Sequence, residues 1–333
     1  MHRFTANRLL AGVLTLLATT LLAAPAHAQP QIVTSIKPLE LIVKAVAGDE
    51  AQVTTLIPDN ASPHTYQLRP SERRTLERAD AIFWIGPDME TFLARLLANR
   101  ELRNKVHTLG KAPENWRDEA LKQNGHSHDH GHGHSHGHSH GHGHGHNHGH
   151  NHGNSHGHSH DHDEDPHIWL DPMLALRMAN DIKQALAELP GADVAQMASN
   201  LAAFEADLRA AEADIQAQLE PVRGMDLFTY HEAFTLFADH YNLKIVGSLT
   251  PSPERTPGAR HIADIQNRLR NATNPCLLSE PQFNDQWWRT VSEGVSVKTS
   301  MWDPLAAEIE STSQGYVAFQ RALATQVLGC AAD

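Results

Sequence analysis

The residues best suited to chemistry in this sequence are histidines, and most of them lie in one low-complexity run from His126 to His162. Eighteen of the chain's 26 histidines occur there, at nearly every second position, separated by Gly, Ser, Asn and a few Asp. Neutral imidazole is a good ligand for Zn(II), Cu(II) and Ni(II), and the alternating spacing lets neighbouring rings share one ion. Because no apolar residue interrupts the run, we expect a disordered loop that collects metal.

A purification tag is the alternative interpretation, but tags stand at chain termini and are rarely mixed with Gly, Ser and Asn. The run offers many similar weak sites, so it indicates that the chain binds metal but does not identify the functional binding site. The predicted auxiliary metal loop consists of His126, His128, His130, His132, His134, His136, His138, His140, His142, His144, His146, His148, His150, His152, His156, His158, His160 and His162.

Three further histidines stand at a predicted strand end or loop mouth, beside residues that restrict the backbone. His64 follows Ser62-Pro63, His167 follows Pro166, and His231 directly follows a predicted strand. Ligands of open α/β sheets bind at the carboxyl ends of strands. A hydrogen-bonded structural histidine is the alternative for each one alone. Three in matching positions, in a chain with a metal-collecting loop, favour a metal site.

One acidic residue is a candidate to complete that site, and another could support it without binding metal. Asp303 follows a predicted strand, and three imidazoles with one carboxylate or water make a tetrahedral site suited to zinc. Asp303 could instead only cap an Asp-Pro turn. Glu232, next to His231, could orient a ligand through a hydrogen bond, or simply favour the start of a helix.

The elements that must position these residues alternate between short apolar runs and helical spacing, which indicates parallel strands with crossover helices. We predict strands at 32–35, 53–57, 81–85, 227–230, 243–249, 276–279 and 295–301. We predict helices at 39–47, 71–79, 89–100, 172–189, 193–220, 232–241, 258–271, 286–293 and 315–328. The helix at 193–220 would be about 42 Å long, enough to connect two lobes.

The predicted fold class is therefore α/β, with two lobes of parallel sheet and flanking helices joined by one long rigid helix. We expect a signal peptide at 1–28, an N-terminal lobe at 29–190 that includes a disordered His-rich loop at 122–165, a linking helix at 191–222 and a C-terminal lobe at 223–333. The signal peptide is indicated by Arg3 and Arg8, an apolar stretch at 9–22 and small residues up to a cleavage site after Ala28.

The apolar stretch at 9–22 is too short for a spanning helix, so we expect an exported, soluble chain. The formal net charge of −12 argues against nucleic acid or an anionic membrane as a partner, and we expect no direct membrane insertion. In an oxidising compartment we expect the two cysteines, Cys276 and Cys330, to form a disulfide rather than to remain free thiols. Such a bridge stabilises by about 4 kcal/mol in the chain-entropy model.

Four segments carry a resemblance to a known family: 61–71 around His64, Pro166-His167-Ile168-Trp169-Leu170-Asp171-Pro172, 230–234 around His231, and Asp303-Pro304-Leu305. As an ordered set they resemble the metal-binding receptors of bacterial ABC importers, and in particular the periplasmic zinc receptors of high-affinity zinc-uptake systems. The resemblance implies a monomer that holds metal between its lobes and delivers it to an inner-membrane ABC permease. It also implies a His-rich insertion between the first two histidine ligands and a disulfide in the C-terminal lobe.

The residue at position 231 indicates which metal is bound. Manganese-binding relatives of this kind carry a glutamate there, whereas three imidazoles at His64, His167 and His231 favour Zn(II) as the transported ligand. Some zinc receptors also place a glutamate just before the first histidine. Here that residue is Pro63, which cannot ligate, so the fourth ligand stays open between Asp303 and water.

Two other function classes would also account for part of this pattern. A zinc hydrolase would also use three histidines, but the metalloprotease pattern H-E-x-x-H that begins at His231 has Thr235 in its fifth place, and no G-x-S-x-G occurs. The other class is a surface adhesin or a pure metal buffer, in which the loop alone would account for metal binding; a buffer would not need the three-histidine site. We therefore expect a solute-binding protein and no enzyme.

Overall fold

The computed structural model describes residues 29–110, 165–253 and 255–332. The predicted signal peptide at 1–28 and the histidine run at 126–162 lie outside the described residues. Within those residues, no helix is both long and apolar enough to cross a membrane.

Two four-stranded sheets, both parallel throughout, form the framework. The first sheet has the order β2-β1-β3-β4, and the second repeats it as β6-β5-β7-β8. The α/β class with two parallel sheets is thus confirmed. The strands are β1 (Gln31–Thr34), β2 (Gln52–Thr55), β3 (Ala81–Trp84), β4 (Val106–Thr108), β5 (Asp226–His231), β6 (Lys244–Thr250), β7 (Cys276–Ser279) and β8 (Lys298–Met301).

Helices connect the strands within each sheet and also connect the two sheets, and their ends lie within three residues of the predicted positions. They are α1 (Lys37–Ala47), α2 (Pro70–Arg78), α3 (Thr91–Leu97), α4 (Pro172–Ala187), α5 (Val194–Gln218), α6 (Thr235–Tyr241), α7 (Ala259–Arg270), α8 (Gln286–Val291) and α9 (Gly315–Leu328). The long helix α5 has 25 residues and is followed by a 3₁₀ turn, Glu220–Val222. Pro221 in that turn cannot continue the α-helical hydrogen bonding.

A single apolar core runs through both sheets. It includes Val33 and Phe83 of the first sheet, Leu227 and Leu278 of the second, and buried residues of α1, α4, α5 and α9. A smaller cluster around Trp288 covers the other face of the second sheet. The predicted disulfide between Cys276 and Cys330 is present and ties β7 to the residues that follow α9.

Candidate metal centre

The three predicted histidines converge although they are far apart in the chain. His64 lies in the loop between β2 and α2, His167 precedes the 3₁₀ turn Ile168–Leu170, and His231 is the last residue of β5. The Nε2 atoms of His64 and His167 are 3.2 Å apart, and those of His231 and His167 are 3.4 Å apart. Each residue offers one ligand atom within 4.8 Å of the others.

These separations match the spacing of ligands around one zinc ion. Zinc–imidazole bonds of about 2.0–2.1 Å at tetrahedral angles place neighbouring nitrogen atoms about 3.3 Å apart. The histidines line a cavity of about 10 Å³, together with Ser62, Pro63, Trp169 and Phe283 among others. A cavity of that size holds roughly one water molecule or one ion. The geometry therefore fits a single small cation.

Carboxylates fix the tautomers of two of the rings. The Nδ1–H of His167 donates to Asp165 Oδ1 over 2.8 Å, and that of His231 donates to Glu280 Oε1 over 2.7 Å. A neutral imidazole carries one proton, so both Nε2 atoms then present lone pairs. Two lone pairs 3.4 Å apart cannot form a hydrogen bond with each other, but both can bind one cation.

Burial favours the neutral, metal-binding form of His64 and His167. Desolvation, reinforced by the neighbouring His167 and His231, lowers the pKa of His64 to about 3. Desolvation also lowers the pKa of His167, although the nearby Asp165 carboxylate opposes this effect. His167 and His231 are both buried, whereas His64 is partly accessible at the mouth of the cavity.

The turn that carries His167 is held by the C-terminal part of the chain. Trp169 is fully buried, and its Nε1–H donates to the Pro304 carbonyl over 2.7 Å. The Tyr316 hydroxyl of α9 donates to the Trp169 carbonyl over 2.8 Å. These bonds fix the His167 backbone relative to the loop that follows β8.

Asp303 does not belong to the group of converging ligand atoms, which among the described residues consists of the three histidines. Its Oδ1 accepts from Leu305 N and from Gln282 Nε2, each over 3.0 Å, and its Oδ2 accepts from Ala307 N over 2.6 Å. In this structure Asp303 caps a turn, the alternative that the Asp-Pro pattern indicated. Metal ligation by Asp303 stays a prediction.

Sequence reasoning missed Glu280 and considered Glu232 in its place. Glu232 is exposed, whereas Glu280 is 2% exposed and hydrogen-bonded to His231. A signal for Glu280 exists, since it is an acid directly after the apolar strand β7. That signal becomes specific only once β7 is known to pair with β5, the strand that ends in His231.

Comparison with known proteins gives a consistent result. The family model "Zinc-uptake complex component A periplasmic" (ZnuA) matches residues 32–330. The chain is 39% identical to the high-affinity zinc uptake system protein ZnuA of Brucella abortus over 304 residues, covering 90% of this chain and 91% of that protein. It is 33% identical to the ZnuA protein of Yersinia pestis over 325 residues, covering 95% and 96%.

Solved structures share the fold at lower identity. A crystal structure of ZnuA superimposes with a TM-score of 0.65 at 23% identity, covering 90% of this chain and all of that one. The periplasmic zinc binding protein TroA of Treponema pallidum gives a TM-score of 0.66 at 17% identity, covering 90% and 99%. These likenesses support the two-lobe fold.

Proposed function

The chain belongs to the family of periplasmic zinc-uptake complex A components, ZnuA, and from that membership we propose that it captures Zn(II) in the three-histidine site and delivers it to an ABC permease. The family consists of solute-binding transport proteins rather than enzymes. Zinc is here the transported cargo.

The observation that carries the proposal is the convergence of three Nε2 atoms at separations of 3.2 and 3.4 Å. We propose His64, His167 and His231 as the ligands, with water in the fourth position and Asp303 as the alternative. Asp303 has no oxygen among the converging ligand atoms, and both of its oxygens accept hydrogen bonds within the turn after β8, so ligation by it would require that turn to rearrange. Water reaches the fourth position at no such cost.

The remaining assignments follow from the same proposal. We propose that the chain acts as a monomer on an inner-membrane permease, after export and cleavage at Ala28. We keep the proposed division into an N-terminal lobe at 29–190, a linking helix at 191–222 and a C-terminal lobe at 223–333. The histidine run at 126–162 serves in this proposal as an auxiliary metal-collecting segment.

The test separates the cleft from the histidine run. A chain lacking residues 125–161 is stripped of metal and titrated with zinc against a tight chelator, with manganese as competitor. We expect one tight zinc equivalent to survive the deletion and to be lost in His64→Ala, His167→Ala or His231→Ala. If no tight binding survives the deletion, the run itself is the site and the receptor proposal is wrong.

A further inference from the structure

Glu280 stands directly behind one of the proposed zinc ligands. It follows β7, and β7 pairs with β5 in parallel, so Glu280 and His231 lie side by side at the carboxyl ends of adjacent strands. In the order β6-β5-β7-β8, the point between β5 and β7 is where the connections change direction across the sheet. Open α/β sheets bind their ligands at such a point.

Two contacts tie Glu280 to His231. Its Oε1 accepts from the main-chain N–H of His231 over 3.2 Å and from the ring Nδ1–H over 2.7 Å. The first contact fixes the backbone at the end of β5, and the second fixes the rotation and tautomer of the ring. His231 Nε2 is thereby turned toward His167 Nε2.

We propose that Glu280 is the positioning residue of the zinc site, an inference that rests on the proposed zinc-binding function. Glu280 also lines the cavity, but its oxygen atoms are not among the converging ligand atoms, so it acts through the ring of His231. A carboxylate on the distal nitrogen makes an imidazole a better electron donor to a metal and fixes its orientation.

The burial of Glu280 strengthens this interpretation. The side chains of Glu280 and His231 are 1% and 4% exposed. Among the described residues, Oε2 of Glu280 is buried and has no hydrogen-bond partner. A buried carboxylate is costly unless its charge is compensated. A divalent cation bound on the other side of the ring supplies that compensation, which couples the carboxylate to metal binding.

Glu232 provides a matched control, because it is an exposed glutamate next to His231 in the chain. The experiment uses the intact chain with its histidine run, stripped of metal and given one equivalent of zinc against a tight chelator. Glu280→Ala is expected to weaken binding by about 10- to 100-fold. Glu280→Gln should lose less, since its amide oxygen can still accept from Nδ1–H. Glu232→Gln should bind like the parent chain.

A second measurement reports orientation directly. The imidazole ¹⁵N shifts of the metal-free protein should identify His231 as the Nδ1–H tautomer, with its signal assigned by its loss in His231→Ala. In Glu280→Ala the ¹⁵N chemical shifts of His231 should move toward the values of a mixture of the Nδ1–H and Nε2–H tautomers. A purely structural role for Glu280 would leave the tautomer unchanged.

Parent-like affinity in Glu280→Ala with an unchanged His231 tautomer would overturn the inference. If Glu280→Ala does not fold, Glu280→Gln decides: weaker binding than Glu232→Gln supports the positioning role, and equal binding overturns it. Should His231→Ala itself bind zinc like the parent chain, the proposed three-histidine site is wrong. If zinc binding is lost in His231→Ala but unchanged in Glu280→Ala, the positioning role is wrong and the three-histidine site stands.

Discussion

The three converging imidazoles are held in place by different contacts. His167 and His231 each donate through Nδ1 to a buried or half-buried carboxylate. His64 stands at the cavity mouth, where its main-chain N–H donates to Ser62 Oγ over 3.3 Å. Burial and the two neighbouring histidines lower the pKa of His64 to about 3.

This lowered pKa predicts a specific dependence of stability on pH in the metal-free protein. Between pH 6.5 and pH 3 the unfolded chain binds a proton at His64 that the folded chain does not, so the free energy of unfolding falls as the pH drops. His64→Gln removes this contribution. We therefore subtract the free energy of unfolding of the parent chain from that of the variant at each pH. This difference should be larger at pH 5 than at pH 7, by at most about 2 kcal/mol.

Urea unfolding of both metal-free proteins at the two pH values measures the effect. The histidine run is present in both chains, so its own titration cancels in the comparison. An identical change with pH in parent and variant would contradict the prediction.

At the scale of elements, helix α4 is the support of the His167 turn. The Asp171 carboxylate caps α4 by accepting from Met173 N and Leu174 N over 2.7 and 2.8 Å. The same carboxylate lies 3.3 Å from Nδ1 of His240 in α6, and Nε2 of His240 lies 2.9 Å from Glu212 in α5. One histidine thus joins three helices next to the candidate metal centre.

The sign of the pH effect at His240 is opposite to that at His64. Hydrogen bonding and charge from Asp171, then from Glu212, raise the pKa of His240 despite partial desolvation. Its stabilising contribution is complete below the unfolded pKa of about 6.5 and is lost as the pH rises through the folded pKa. His240→Gln should therefore destabilise more at pH 5.5 than at pH 8, by roughly 1 kcal/mol, because the partly exposed ion pairs of His240 with Asp171 and Glu212 are screened by water.

Thermal or urea unfolding at the two pH values tests this prediction. His261→Gln is the matched control, because His261 Nε2 contacts the Ser248 carbonyl rather than two carboxylates. A cost at His240 that does not depend on pH would mean that the histidine only fills space between the helices.

The sequence predicts those features that depend on a short stretch of chain, and it does not predict those that depend on which strands are neighbours. Apolar runs and helical spacing predict most elements, but β4 was missed because it has three residues, of which only Val106 is buried. The helix after β5 begins at Thr235 rather than at 232, because a tight turn in which Ala233 N donates to the His231 carbonyl comes first. Glu280 could not be assigned, because its link to His231 requires knowing which strands are neighbours.

At the scale of the whole molecule, the two sheets are joined by more than the long helix. Lys37 of α1 donates to the Ala307 carbonyl over 2.9 Å, and Trp169 donates to the Pro304 carbonyl. The main apolar core also continues through both sheets and through α1, α4, α5 and α9. A hinge motion that separated the lobes would expose this core, at about 25 cal/mol for each Å² of apolar surface.

Zinc binding is therefore expected to change the cleft loops and leave the lobes in place. Nitroxide labels at Glu77→Cys in α2 and Arg270→Cys in α7 report the separation of the lobes, and the native cysteines are protected in their disulfide. The distance distribution should have the same maximum with and without zinc. A control pair at Glu77 and Arg103 lies within the first lobe and reports label mobility alone. A zinc-dependent shift seen only in the pair across the lobes would show a hinge, and would mean that the shared core opens when metal leaves.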